Sequence, residues 1–504
     1  MSFYPTRPMT RHSLKRRFGA IIVGAICLVP SLVPSLAPAQ GAAPQALSLA
    51  DALRIAAGVS HAVRAAEAGV DRARGQQHQA RAQYFPQLSA ALGYQRTVQS
   101  QFQEILKRDE ASNGSSGGSS DSSSSGNSFG SISKIFASPV TETITLNFSQ
   151  NVFTAGRIAA ANAAAEAGET VARVTLDAAR AQTTLDVAQA YFDAVAAGQL
   201  SQIADSTLAQ AERSLQHTTL AFEVGSAAEF DLLRARVARD NQRPVAIQAR
   251  GSRDIALLRL RQLLRIPLAQ PLALTTPIRD EGIAPTQAAG VTLERPIEIP
   301  GANRALMPDT STARRAAVRQ AEAGLEAQRA ALRVARWQRL PSVQVASTYQ
   351  RFGYPDGGFM PNSLGLFYPN WTVTAGISFP LFTGGRLMGE RLVAEANLIE
   401  AEESLAQARD AAALDARMAI TQLEQAQSAY AASVGTDAQA AKAYQIAEVR
   451  AQEGISTQVE LQQSRTQYEQ ARLNRVMAAR DLEVARLRVA LLKDLPLQGA
   501  AGRR

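Results

Sequence analysis

FPLFTGGR, residues Phe379–Arg386, joins two kinds of periodicity. Upstream, TVTAGISFPLF alternates apolar with small or polar residues, as a strand does. Downstream, LMGERLVAEANLIEAEESLAQARD is rich in helix-forming residues and has no proline. A second copy of the corner, QNVFTAGR at Gln150–Arg157, has the same strand-like approach and the same helical sequel. A strand that twice turns straight into a helix implies a duplicated unit.

Other segments extend the duplication. AEAG at Ala66–Gly69 recurs at Ala321–Gly324, and YFPQLSA around Pro86 corresponds to RLPSVQV around Pro341, both 255 residues on. VFTAGR and LFTGGR are 229 apart, as are VGSAAEFD (Val224–Asp231) and EGISTQVE (Glu453–Glu460). The offset falls by 26 where the first copy carries SNGSSGGSSDSSSSGNS at Ser112–Ser128, a Ser/Gly loop with nothing to bury. The expected organisation is a first repeat over 40–270, a Pro-rich connector over 271–308, a second repeat over 309–495 and a tail over 496–504.

Each repeat has two strand candidates, at about 87–97 and 141–153 and at about 342–351 and 372–382. Leu88, Ala90, Leu92 and Tyr94 share one face, and so do Ile144, Leu146 and Phe148; the opposite faces are small or polar but uncharged. This alternation suits a tilted strand crossing a bilayer with its polar face on a lumen. Phe359, Phe367, Tyr368 and Trp371 toward one end, and Trp337 toward the other, suit interfacial belts. About eight strands are the fewest that close a barrel, and open edges are not tolerated in lipid. Four strands must therefore be completed by other copies, and three copies give twelve.

The remainder reads as helix. The segments from Arg157 to Val224 and from Arg386 to Glu453 contain no proline and would reach roughly 100 Å at about 1.5 Å per residue. Shorter helices are expected before the strands (about Ser48–Tyr84 and Thr310–Leu340) and after the long ones (Ser226 to about Arg265, Ile455 to about Lys493). Ser48, followed three residues later by Asp51, is the expected N-cap of the first, and Pro244 is expected to kink one return helix. The fold class is thus an α+β membrane protein with long coiled-coil-like hairpins and four membrane strands per protomer.

Composition narrows the function. Arg7, Arg11, Lys15, Arg16 and Arg17, the apolar GAIIVGAICLVPSLVPSL and APA at Ala37–Ala39 predict a secretory signal peptide over 1–39. Its removal takes the formal charge from +9 to +4, so the basic balance implies no nucleic-acid partner. It also removes Cys27, the single cysteine, excluding disulfides and thiolate chemistry. No run of 18 apolar residues follows residue 40. No P-loop or H-E-x-x-H motif occurs. GSSGG at Gly114–Gly118 lacks the strand-to-helix turn of a nucleophile elbow. His12, His61, His78 and His217 are dispersed. The expectation is no enzyme, no cofactor and no metal.

The doubled strand–F-T-x-G-R–helix corner and the doubled G-x-x-x-x-x-[DE] turn resemble the TolC-like outer-membrane factor family over about residues 45–495. The resemblance implies a homotrimer, with a twelve-stranded β-barrel in outer-membrane lipid continuing into a periplasmic α-helical tunnel. It also implies an exit duct for a tripartite efflux pump or a type I secretion system. Its partners would be a periplasmic adaptor (membrane fusion protein) and an inner-membrane RND, MFS or ABC transporter. Phe153, Gly156, Arg157, Pro380, Phe382, Gly384, Gly385 and Arg386 would form the barrel–tunnel junction, with Pro380 bending the strand. Asp231 and Glu460, with Gln463 and Arg450 nearby, would form a periplasmic gate. Gly225, Ser226, Ala227, Gly454, Ile455 and Ser456 would be the tips that an adaptor contacts. The competing reading, a secreted structural coiled coil or adhesin without channel activity, leaves the four amphipathic strands without a use.

Overall fold

A computed structural model describes residues 45–98, 140–278, 297–298, 305–306, 311–354, 367–453 and 455–497. The expected signal peptide, the Ser/Gly loop at 112–128, Phe359, Gly454, most of the connector and most of the tail lie outside the described residues. In chain order the elements are β1 (Gln45–Leu47), α1 (Leu49–Val59), α2 (His61–Ala82), β2 (Gln87–Arg96), β3 (Val140–Phe153), α3 (Arg157–Glu223), α4 (Glu229–Leu264) and β4 (Leu272–Leu274). Then come β5 (Ile297–Glu298), β6 (Ala305–Leu306), α5 (Ala316–Trp337), β7 (Ser342–Gly353), β8 (Phe367–Ser378), α6 (Arg386–Gln452) and α7 (Gln458–Leu491).

The four long strands make one antiparallel sheet in the order β2-β3-β7-β8, leaving β2 and β8 as open edges. They are 10, 14, 12 and 12 residues long, enough to cross a hydrocarbon layer when tilted. β8 lies at Phe367–Ser378, not at the expected 372–382. Its last pair is Ser342↔Ser378, and beyond Ser342 the neighbouring strand ends at Pro341, which has no N–H to offer. Pro380 accordingly follows the strand instead of bending it. At the other end β8 takes in Phe367, Tyr368 and Trp371, with Pro369 opposite Arg351.

α3 and α6 are 67 residues each. Near the sheet the helices lie side by side as α2-α3-α5-α6, and at the far end as α4-α3-α7-α6, so each long helix passes two shorter ones in succession. The expected single helix over Ser48–Tyr84 is two. Ser60, at φ −58° and ψ 127°, ends α1, and its Oγ accepts from the Val63 amide to start α2. The expected helix from Thr310 begins at Ala316, because Arg315 is extended at φ −64° and ψ 140°. Ser48 caps α1, accepting from the Asp51 amide at 3.1 Å. α4 runs through Pro244 as one helix. No described helix is long and apolar enough to cross a membrane.

Where the short helices meet end to end, the chain has its main core. Tyr191 and Phe192 of α3 pack edge to face at 6.1 Å between ring centroids, among Leu47, Leu49, Leu260, Leu264 and Leu492. The Tyr191 hydroxyl donates to the Leu47 carbonyl at 3.0 Å and accepts from the Thr276 amide at 2.9 Å, fastening the parallel β1–β4 pair to α3. In the second half Ala316 N donates to Lys493 O at 2.9 Å, so α5 begins where α7 ends. Arg315, fully buried, donates to the Leu492 carbonyl and to Asp415, whose other oxygen takes Arg488 at 3.0 Å.

Candidate functional site: the ends of the long helices

At the sheet end the two corners are type I′ turns. In the first, Arg157 N donates to Thr154 O at 3.0 Å across Ala155 (φ 49°) and Gly156 (φ 83°). In the second, Arg386 N donates to Thr383 O at 3.1 Å across Gly384 (φ 58°) and Gly385 (φ 87°). Two consecutive left-handed residues reverse the chain most tightly, and glycine adopts that conformation without steric cost. Ala155 stands where the second corner has glycine and is one of only two non-glycine residues at positive φ among the described residues. Each turn's second residue is also the N-cap of a 67-residue helix, so the turn fixes where each long helix starts. The arginines act locally: Arg157 Nε donates to Thr154 O at 3.3 Å, and Arg386 pairs with Glu390 at 2.6 Å. Phe153 and Phe382 are exposed beside the corners.

The far ends are built alike. α3 closes in a Schellman turn, with Gly225 N donating to Phe222 O at 2.9 Å and Ser226 N to Ala221 O at 2.8 Å about Gly225 at φ 77°. Ala227 N shares the Ala221 carbonyl. At the end of α6, Ile455 N and Ser456 N both donate to Arg450 O, at 2.8 and 3.2 Å. The returning helices start differently. Thr457 caps α7 by accepting from Glu460 N at 3.3 Å, whereas Ala228, at the same place before α4, offers no side-chain cap. Val224, Phe230 and Ile455 are exposed around these turns by 79, 70 and 68%, and Leu220, Val449 and Val459 beside them are exposed as well.

The two acids occupy different settings. Glu460, half exposed, accepts from Ser456 Oγ at 3.0 Å and pairs with Arg450 at 3.5 Å, so the acid and arginine singled out in the sequence meet within one hairpin. Asp231, in the first turn of α4, lines a groove with Ser214, Thr218, Arg234, Gln462 and Arg465. Gln463 is exposed on the next face of α7.

Sequence reading missed the residues that fasten these hairpins together. Arg465, buried, reaches from α7 to the Thr207 carbonyl on α3 and pairs with Glu469 at 2.9 Å. Gln210 of α3 donates to the Tyr444 hydroxyl of α6, which donates in turn to Glu448 at 3.1 Å. Tyr444 stacks on Tyr468 of α7 with ring centroids 5.8 Å apart, and Arg472 lies over Tyr468 at 5.6 Å. Burial, then the Glu448 carboxylate, hold the Tyr444 hydroxyl above its ordinary pKa. Nothing in the polar stretch LQQSRTQYEQ marks Arg465 as buried, and its partner lies 258 positions away.

A four-stranded amphipathic sheet with open edges, joined through short corners to two 67-residue helices, is the fold of an outer-membrane channel. The outer membrane efflux protein family model matches residues 52–264 and 307–492, and the chain belongs to that family. It is an efflux duct of the outer membrane, with its helices on the periplasmic side. Among solved structures it is similar to the CmeC outer membrane channel of Campylobacter jejuni (14% identity, TM-score 0.65, 89% of this chain and 86% of that one). It is likewise similar to VceC of Vibrio cholerae (18%, 0.64, 88% and 95%) and to the open state of the Neisseria gonorrhoeae MtrE channel (21%, 0.63, 88% and 88%). No curated protein matches the chain.

Proposed function

We propose that this chain is the exit duct of a tripartite efflux pump or a type I secretion system, working as a homotrimer of duplicated protomers with a twelve-stranded barrel. The observation that carries the reading is the sheet with two open edges, β2 and β8, each backbone edge intolerable in lipid until another copy covers it. Conduction is passive: the polar, uncharged strand faces line water in the barrel, and the long helices extend the wall across the periplasm.

The tip turns are the adaptor-contact surface. Gly225, Ser226, Ala227, Ile455 and Ser456 belong to turns that cap the last helix carbonyls, with Val224 and Ile455 exposed; Gly454, outside the described residues, belongs to the same proposed surface. That combination suits the helical hairpin end of a periplasmic adaptor feeding from an RND, MFS or ABC transporter. Asp231 and Glu460 form the gate. Repeated around a threefold axis, they place six carboxylates at the mouth, which favours cations. The Arg450–Glu460 pair tethers one hairpin end, and Gln463 borders the same mouth.

The test is conductance of the purified protein in planar bilayers. Asp231→Ala combined with Glu460→Ala should raise single-channel conductance and reduce cation selectivity. A channel with both properties unchanged would remove the gate, while absence of any channel from the wild type would remove the duct.

A further inference from the structure

Strand pairing inside the sheet obeys a transfer rule. Moving β2 by 255 residues and β3 by 229 turns Gln87↔Ser149 into Ser342↔Ser378 and Tyr94↔Glu142 into Tyr349↔Trp371, which are pairs that β7 and β8 make. All ten β2–β3 pairs transfer in this way. The same offset carries Tyr94-Gln95-Arg96 onto Tyr349-Gln350-Arg351. The β3–β7 ladder that joins the two halves has no image within one chain, because its image strands, β8 and β2, are the two open edges.

Resting on the duct reading above, we infer that β8 of one copy pairs with β2 of a second in the image register, and that β8 then lengthens through Phe382. Leu146↔Tyr349 becomes Ala375 opposite Tyr94 of the second copy, and Thr145↔Gln350 becomes Thr374 opposite Gln95. Gln150↔Val345 becomes Phe379 opposite Ala90, and Phe153↔Val343 becomes Phe382 opposite Leu88. The register shift between Asn151 and Phe153 places the image bulge at Leu381.

The side chains agree with this register. It sets Ala375, Ile377 and Phe379 against Tyr94, Leu92 and Ala90 on the apolar face. A slip of one residue would set that row against Gln95, Gly93 and Ala91. Phe382, exposed by 91%, has no strand partner in a single chain and acquires Leu88 of the second copy, while Leu381, exposed by 87%, is the unpaired bulge residue beside it. The corner contacts follow the same rule. Trp337 lies on Gly156, while the image position, Gly385, has nothing within 4 Å of where a Cβ would stand. The image of Trp337 is Ala82, so Ala82 of the second copy belongs beside Gly385.

Only a slip of two residues keeps the faces matched, so the test must separate those registers. On a Cys27→Ser background, Thr374→Cys with Gln95→Cys and Phe379→Cys with Ala90→Cys sample the two pair types of an antiparallel ladder. Opposed Cα atoms there, roughly 4.5–5.5 Å apart, lie within disulfide range. Thr374→Cys with Gly93→Cys and with Thr97→Cys are the slipped controls. Oxidation should link at least one image pair into covalent dimers and trimers on non-reducing gels, several-fold more completely than either control. Reduction should leave every variant with the wild-type native mass. More complete linkage of a slipped pair, or no linkage of either image pair in a protein of trimeric native mass, overturns the register. A wild type of monomeric mass in detergent and in membranes overturns the duct reading instead.

Discussion

The indole of Trp337 lies directly over Gly156: a Cβ built on that glycine would stand 2.7 Å from Cζ3 of the ring. The last residue of α5 thus sits on the corner where β3 becomes α3, and the two halves of the chain are tied at the membrane end by a contact that only glycine permits. At Gly385 a Cβ would meet open space. Gly156→Ala therefore incurs a left-handed penalty of about 1–2 kcal/mol plus roughly 1–3 kcal/mol of overpacking. Gly385→Ala incurs only the first. Thermal unfolding followed by circular dichroism in detergent should rank wild type above Gly385→Ala and Gly385→Ala above Gly156→Ala; equal losses would show that the ring yields freely.

Ala155 holds φ 49° in the turn where the second corner has Gly384. Ala155→Gly relieves the side-chain penalty of about 1–2 kcal/mol but loosens the unfolded chain by about 0.4–1 kcal/mol. A net gain of roughly 0.5–1 kcal/mol in the same unfolding measurement is the expected outcome. A lower midpoint would mean that Ala155 is not strained.

The tip helices differ in capping, with Thr457 bonded to the Glu460 amide and Ala228 offering nothing. Thr457→Ala should lose about 1 kcal/mol and Ala228→Ser should gain a similar amount, since Ala228 already has the extended backbone of a cap at φ −78° and ψ 151°. Amide exchange in the first turns of α7 and α4 reads each change locally. Exchange faster in Ala228→Ser than in wild type would refute the second half.

Arg315, Asp415 and Arg488 form a buried cluster joining α5, α6 and α7. Asp415→Ala leaves two arginines without their shared carboxylate, and breaking a buried pair from one side costs about 3–5 kcal/mol. Arg315→Met with Asp415→Leu removes both charges of the closest pair and should be considerably milder than Asp415→Ala alone. Additive losses in that double variant would contradict the coupling.

Glu169 of α3 accepts from Arg173 at 2.7 Å and from Arg74 of α2 at 3.3 Å. The Arg173 bond first, with Arg74 adding to it, holds its carboxyl below the ordinary carboxylate pKa. A lowered folded-state pKa means the stabilisation is complete above the unfolded value and disappears as pH falls through the folded one, that is, below roughly 4.5. Glu169→Gln should be less stable than wild type at neutral pH, with the difference narrowing as the pH is lowered. A difference constant down to pH of about 3 would exclude this carboxylate as the cause.

How far these features were legible in the sequence depends on how local they are. The corners could be read because a type I′ turn is four residues whose only demand is φ above zero, and Gly384-Gly385 states that demand outright. Ser48 with Asp51, and Gly225 with the turn after it, are equally short-range. The break at Ser60 was missed although Gly58 and Ser60 are helix-stop and helix-start residues, because the apolar spacing runs on across them; there the serine serves two helix ends at once.

By itself the sequence determined the two strand-to-helix corners, the length of the proline-free helices and the two faces of each strand, since all of these follow from periodicity and local dihedral preference. Tertiary structure decided where β8 stops, because a ladder ends when its neighbour has no further backbone to offer, as at Ser342↔Ser378. It alone paired Arg465 with the Thr207 carbonyl and Arg315 with Asp415, across 258 and 100 positions. A charge in a helical pattern carries no mark of its partner; which arginine is buried and which is solvated is settled only when helices distant in the chain are brought side by side.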